Sequence, residues 1–144
     1  KNNLGLIIID YLQLIEPDNS RDPRQEQVAK IARRLKILAR ELHVPVLCLA
    51  QLNRQAEATK DNRPRLSHLR ESGAIEQDAD SVLFIHREEV YHSPEEVEAR
   101  ELAGKAVVIV AKNRNGPVGD VNLAWRSSVT RFESIAMNHQ VDPF

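Results

Sequence analysis

Cysteine occurs once, at Cys48, so no disulfide framework can form within the chain. Cys48 lies in the apolar run Val46-Leu47-Cys48-Leu49, where a thiol acts as a small hydrophobe. No apolar stretch approaches the ~20 residues that cross a bilayer, and no signal-peptide pattern is present. A reducing, cytoplasmic setting with no membrane partner is therefore expected. Charge of one sign is also missing: 20 basic and 21 acidic side chains leave a net charge of -1. Any polyanion partner must be held by local groups rather than by a global field. Aromatics are only 4% of the chain, and Tyr11, Trp125 and Phe132 are too scattered to form a base-stacking platform, so stacking-based recognition of a single strand is not expected. His86, Glu88, Glu89 and His92 lack a strong zinc spacing, and no cysteine joins them, so they read as structural or surface residues. There is no internal repeat and no low-complexity segment.

What remains is an ordinary globular composition, 42% hydrophobic and 28% charged over 144 residues, enough for one domain or a large piece of one. Leu6-Ile7-Ile8-Ile9 is a continuous apolar run ending in Asp10, as a parallel strand buried on both faces requires. Such a strand so near Lys1 suggests a chain that starts inside a domain, with an apolar edge prone to self-association. A polar, proline-bearing loop follows. The spacing then predicts a helix from about Arg24 to Leu42, with Val28, Ile31, Leu35, Leu38 and Leu42 on one face. Val46 to Ala50 forms a second buried strand, completing a strand–helix–strand unit. Residues 54–65 are polar and predict a loop. Residues 66–80 mix short helical signals with Gly73, and Val82-Leu83-Phe84-Ile85 forms a third strand. Ser93-Pro94-Glu95-Glu96 starts a helix, with proline at its first position. Residues 106–111, 121–125 and 129–132 predict antiparallel strands, the first two joined by a turn at Asn113-Arg114-Asn115-Gly116-Pro117. Residues from about 136 to 144 form a tail. The class is α/β: a mostly parallel sheet with a C-terminal antiparallel hairpin.

In open α/β sheets, ligands bind beyond the carboxyl ends of the strands, which here are Asp10 and Gln51. A carboxylate at such a tip can hold Mg²⁺ against nucleotide phosphates, or simply cap a helix or anchor a loop. A neutral amide there can sense a γ-phosphate or an attacking water, or be a surface glutamine that starts a loop. Lys112 and Arg114 stand two apart beside the predicted turn, so in extended chain both point to one side and can converge on one anion. An ordinary solvated turn would look the same. In the run from Leu69 to Asp80, Gly73 lets the backbone approach a ligand closely and Arg70 can neutralise a phosphate. A capped helix with a solvated acidic face is the alternative.

Taken together, these stretches resemble the DnaB family of replicative DNA helicases. The run from Leu6 through Asp10 to Leu14 resembles that family's Walker B strand, and Ala50-Gln51-Leu52-Asn53-Arg54 its sensor strand. Arg63-Pro64-Arg65-Leu66, residues 69–80, residues 112–119 and Thr130-Arg131-Phe132 follow in the family's order. The resemblance covers nearly the whole chain apart from residues 89–104. It implies the C-terminal portion of a single RecA-like ATPase domain, with ATP and Mg²⁺ as cofactors. Asp10 would hold Mg²⁺, Gln51 would sense the γ-phosphate, and Arg114, with Lys112 beside it, would act as an arginine finger in the adjacent subunit's site. Arg70, Glu71 and Gly73 would grip single-stranded DNA. Identical subunits in a hexameric ring, primase and a helicase loader are the implied partners. The implied activity is ATP-driven 5′→3′ translocation and unwinding.

Several parts of that family's pattern are missing. No G-x-x-x-x-G-K-[ST] loop occurs, and the family's catalytic glutamate falls before Lys1. His68 stands where an acidic residue is usual and Ala74 where serine is usual. These 144 residues by themselves are therefore expected neither to bind ATP tightly nor to unwind DNA, and ATP turnover by them alone would overturn that expectation. A non-catalytic RecA-like interaction module is the competing reading. A recombinase-type relative is disfavoured by the combined runs at 70–73 and 112–117.

Overall fold

The computed structural model describes residues 3–52 and 62–135; within these, the side chains of Arg70, Glu71, Ser72 and Ala74 are outside the described set. Asn53 and Arg54, from the sensor-like stretch, and the tail from 136 also lie outside it.

Strand β1 (Ile7–Ile9) pairs in parallel with β2 (Val46–Cys48), Ile8 opposite Leu47. Between them helix α1 spans Arg24–Leu42. Its start has no side-chain cap, but buried Gln27 donates to the carbonyls of Asp22, at 2.7 Å, and Ser20, at 3.3 Å, and so anchors the incoming loop. His43, in the left-handed conformation at φ 55°, closes the helix through its N–H to the Ala39 carbonyl.

The apolar face expected of α1 is seen in its first half. Val28 and Ile31 are buried with Leu12, and Leu35, Ile15, Cys48 and Ile75 pack around them. Leu42 does not join them and is half-exposed. The strands also depart from expectation. Ile8, Leu47 and Leu49 are exposed, at 61%, 49% and 45%, so the pair is covered on one face only. The reason is layering: α1 and the 3-10 turn Leu12–Leu14 cover one side, and a two-stranded sheet needs a second layer to bury the other.

After residue 62, the 3-10 segment Leu66–Ser72 runs into α2 (Gly73–Asp78). The remaining strands form one antiparallel sheet in order β3 (Ser81–His86), β4 (Lys105–Asn113), β5 (Gly119–Arg126) and β6 (Arg131–Ser134). The α/β class is as expected, and the antiparallel part is larger than a hairpin because the third strand joins it. Between β3 and β4 lies α3 (Pro94–Ala99), where Ser93 caps the Glu96 N–H and Glu96 returns the bond to the Ser93 N–H. Leu69, Phe84 and Ile109 form the second core cluster, backed by Leu52, Leu66, Val82, Val107 and Ala111. Residues 66–78 thus reach both clusters, through Leu69 and Ile75. Among the described residues no helix is long and apolar enough to cross a membrane.

Candidate functional site

Parallel pairing puts the ends of β1 and β2 side by side. Ile9 is opposite Cys48, and the Ile9 carbonyl accepts from Leu49 N–H at 2.9 Å before the Leu12 N–H returns to the Leu49 carbonyl at 2.8 Å. Asp10 and Gln51 follow these last paired residues, and both are exposed. Gln13 locks the two tips together. Its side-chain amide donates to the Gln51 carbonyl at 3.1 Å and accepts from the Gln51 N–H at 3.4 Å. Sequence reasoning missed Gln13, because a glutamine in a 3-10 turn carries no pattern until the neighbouring strand is in place. Asp10 is a single exposed carboxylate, and among the described residues no group of three or more His, Cys, Asp or Glu gathers to hold a metal. It fits Mg²⁺ only as one ligand among phosphates and waters, the usual way this ion binds.

Lys112 and Arg114 do converge, as their spacing predicts, but on groups of their own chain. Lys112, half-buried, donates its ammonium to the Glu76 carbonyl and, at 3.4 Å, to the Gln77 carbonyl. Arg114 donates Nη2–H to the same Gln77 carbonyl at 3.1 Å and Nη1–H to Asp80 Oδ1 at 3.0 Å. The Arg114 N–H also reaches the Asp80 carbonyl at 2.8 Å. Asp80 offers its other oxygen, Oδ2, to Lys36 of α1. The hydrogen bond from Lys36 holds the Asp80 carboxyl below the usual carboxylate range; burial opposes it, and the charges of Lys36, Arg114 and Lys112 add to it. Two cations at the carbonyl end of α2 also complement that end's partial negative charge. Asp80 and Lys36 were not legible as site residues in the sequence. The acidic run Asp78-Ala79-Asp80 was visible, but not that Arg33 and Lys36 of α1, together with Lys112 and Arg114, face it.

Local geometry explains the aim of the pair. Val82 is opposite Lys112 while Leu83 is opposite Val110, so Ala111 is an extra residue on β4, and such a bulge re-aims the side chains beside it. The turn beyond is held by Asn113, whose Oδ1 accepts from Asn115 N–H at 3.3 Å and whose Nδ2 donates to the Pro117 carbonyl at 3.4 Å. A Cβ at Gly116 would stand 2.7 Å from Asn113 Nδ2, so a side chain there would push the Asn113 amide from its bond to the Pro117 carbonyl.

Arg70 and Glu71 lie in the 3-10 segment Leu66–Ser72, but their side chains are outside the described residues. Gly73 is exposed, with ordinary helical φ of −49°, and a Cβ there would meet nothing within 4 Å. Among the described residues nothing demands glycine at this position.

Two other expectations meet the structure here. Glu88 and His92 belong to an ion-pair knot: Arg100 reaches Glu88 at 2.7 Å and His92 Nε2 at 2.9 Å, and Glu96 lies 3.5 Å from His92 Nδ1. Glu89 instead takes Arg87 at 2.7 Å and the Gly104 N–H at 2.9 Å, and buried His86 stacks on Tyr91 at 5.9 Å. Trp125 and Phe132 are not scattered in space. The 3-10 turn Ser127–Val129 folds β6 back so that the two rings lie 4.6 Å apart, with the Arg87 guanidinium 4.6 Å over Trp125.

Comparison with known proteins covers this whole arrangement. Residues 1–134 match the family described as DnaB-like helicase C terminal domain. The chain is 49% identical over 138 residues to the replicative DNA helicase DnaB of Pasteurella multocida (strain Pm70), covering 96% of this chain and 28% of that protein. It is 47% identical over 138 residues to the replicative DNA helicase DnaC of Bacillus subtilis (strain 168), covering 94% of this chain and 29% of the relative. The chain thus spans under a third of the length of these relatives. Among solved structures, one described as an ATPase domain superposes with a TM-score of 0.82 at 46% identity, over 91% of this chain and 44% of that one. A DnaB-like replicative helicase, solved in a study of its interactions with primase, superposes with a TM-score of 0.80 at 44% identity, over 91% of this chain and 30% of that one.

Proposed function

This chain belongs to the DnaB-like helicase C-terminal domain family, and from that premise we propose that it is part of the ATP-driven motor of a hexameric replicative DNA helicase. In this reading the parent protein moves 5′→3′ along single-stranded DNA and unwinds the duplex at the fork, in the cytoplasm. The observation that carries it is the pairing of β1 with β2, which sets Asp10 and Gln51 at neighbouring carboxyl ends within a chain that matches the family over 134 of its residues. That is where an α/β sheet receives its ligand.

Asp10 is the residue that would take Mg²⁺, which neutralises phosphate charge when bound. Gln51 reads the terminal phosphate with a neutral amide. Gln13 fixes the height of the Gln51 backbone relative to the first strand, so a change at one tip is felt at the other. Arg114, with Lys112 beside it, serves the adjacent subunit's nucleotide. Their contacts here run to α2 and Asp80 and not to the described strand tips of their own chain, which supports action between subunits. Primase is a partner by likeness to the structural neighbour named for that interaction, and a helicase loader by family resemblance.

Arg70, Glu71 and Gly73 contact the single strand's backbone. The open space around Gly73 supports this, because the glycine is then required by what approaches from outside. Gly73→Ala is accordingly expected to leave folding unchanged, or to improve it by up to about 1 kcal/mol since alanine favours helix. In fluorescence anisotropy its affinity for single-stranded DNA should fall about tenfold, the worth of one hydrogen bond to a charged group. Unchanged affinity would remove Gly73 from the DNA contact.

The whole reading is tested in the full-length parent by measuring DNA-stimulated ATP hydrolysis and displacement of a strand from duplexes tailed at 5′ or 3′. Stimulated hydrolysis with unwinding that requires the 5′ tail is expected. A protein that binds DNA yet hydrolyses no ATP would make the non-catalytic RecA-like module the better account.

A further inference from the structure

Asp80 has no task in the motor reading, although it sits at a junction. Arg114 donates to Asp80 Oδ1 at 3.0 Å, while Lys36 takes Oδ2. The same arginine's second terminal nitrogen is fixed by the Gln77 carbonyl at 3.1 Å, and its own N–H by the Asp80 carbonyl at 2.8 Å. Three bonds therefore set the backbone and the plane of this guanidinium. They leave its remaining N–H groups directed elsewhere, and about half of the side chain, 49%, is open to solvent. A guanidinium held on one edge and open on the other is prepared to meet an anion without first being ordered.

The support beneath this seat is packed against both helices. Gln77 is in α2, whose Ile75 packs against the Leu12, Val28 and Ile31 cluster. Lys36 comes from α1, the longest helix among the described residues, and Lys112 anchors to the Glu76 and Gln77 carbonyls alongside. Asp80 remains ionised at neutral pH, because its carboxyl is held below the usual range.

We propose that Asp80, itself held by Lys36, is a positioning residue that pre-orients Arg114 for a neighbouring subunit's nucleotide phosphate. The inference rests on the finger reading of Arg114. Its energetic contribution is to geometry and not to folding, since a half-exposed ion pair adds little to stability. That separates it from a structural role. A guanidinium misplaced by an ångström costs as much as 10²-fold in rate, whereas loss of a surface pair hardly moves Tm.

The test uses the full-length parent with saturating single-stranded DNA. Asp80→Asn, which keeps shape and removes charge, is expected to lower kcat about tenfold while KM for ATP and Tm stay within error. Asp80→Glu restores the charge and recovers much of the loss. The deciding measurement is made in the Arg114→Ala background, where Asp80→Asn has no further effect if it acts through Arg114. Should Asp80→Asn fail to fold, Lys36→Met removes the cation from the other carboxylate oxygen without touching Arg114. A loss of about threefold is then expected, again absent in the Arg114→Ala background. Unchanged kcat in the folded charge variants, or losses that multiply with Arg114→Ala, would overturn the positioning role and leave the finger reading intact. Full turnover in Arg114→Ala itself would overturn both, so the two failures are told apart.

Discussion

Arg114→Ala in the full-length parent is expected to lower DNA-stimulated ATP turnover by on the order of a thousandfold, the lower range for removing an arginine finger. ATP binding should persist, because the residue is docked on Asp80 and Gln77 and makes no described contact with Asp10 or Gln51 of its own chain. Folding should persist as well, since Arg114 and Asp80 are each about half-exposed and such pairs add little to stability. Mixed rings separate action between subunits from action within one. Arg114→Ala subunits keep their own strand tips, and Asp10→Ala subunits keep their finger, so each alone is inactive. Mixing them should recover a measurable share of turnover, because an intact finger then faces an intact nucleotide site. Mixtures as inactive as their components would mean that Arg114 works in its own subunit, and the proposed geometry of the ring would have to be abandoned.

The second large effect is on stability. Phe84 is 5% exposed at the centre of the second core cluster, against Leu69 and Ile109. Phe84→Ala is expected to destabilise the ATPase domain by about 3–5 kcal/mol, combining lost transfer energy with the cavity left behind. Phe84→Leu, closer in volume, should cost less than about 1.5 kcal/mol. Calorimetry of the parent would show the first as a fall of roughly 10 °C or more in the domain's transition. Leu69 belongs to the same 3-10 segment as Arg70 and Glu71, so Phe84→Ala also removes that segment's support. Stimulation by single-stranded DNA is therefore expected to weaken at temperatures where unstimulated hydrolysis persists. A Phe84→Ala protein with an unchanged transition would show that the cluster does not stabilise the domain.

Much of this was legible in the residues themselves. The repeat of Val28, Ile31 and Leu35 set α1 at Arg24–Leu42, because helical period depends on local spacing. Ser93-Pro94-Glu95-Glu96 announced α3, since proline at the first helical position is a local signal. The apolar runs ending at Asp10 and Gln51 were enough to name strand tips, and the i, i+2 spacing of Lys112 and Arg114 was enough to say that they converge. What they converge on was not legible. Asp80 meets Lys36 across 44 residues and Arg114 across 34, and no local pattern encodes such distances.

Composition and local spacing thus determined the α/β class, the helices and the candidate residues at the strand ends, because each rests on neighbours a few positions away. Only the tertiary structure decided how those pieces bear on one another. The bulge at Ala111, the clasp of Gln13 on the Gln51 backbone, the cross-strand pairing of Trp125 with Phe132 and the seat of Arg114 on Asp80 arise where separate elements pack. Each is a contact between distant parts of the chain, whose geometry exists only once the elements between them have folded.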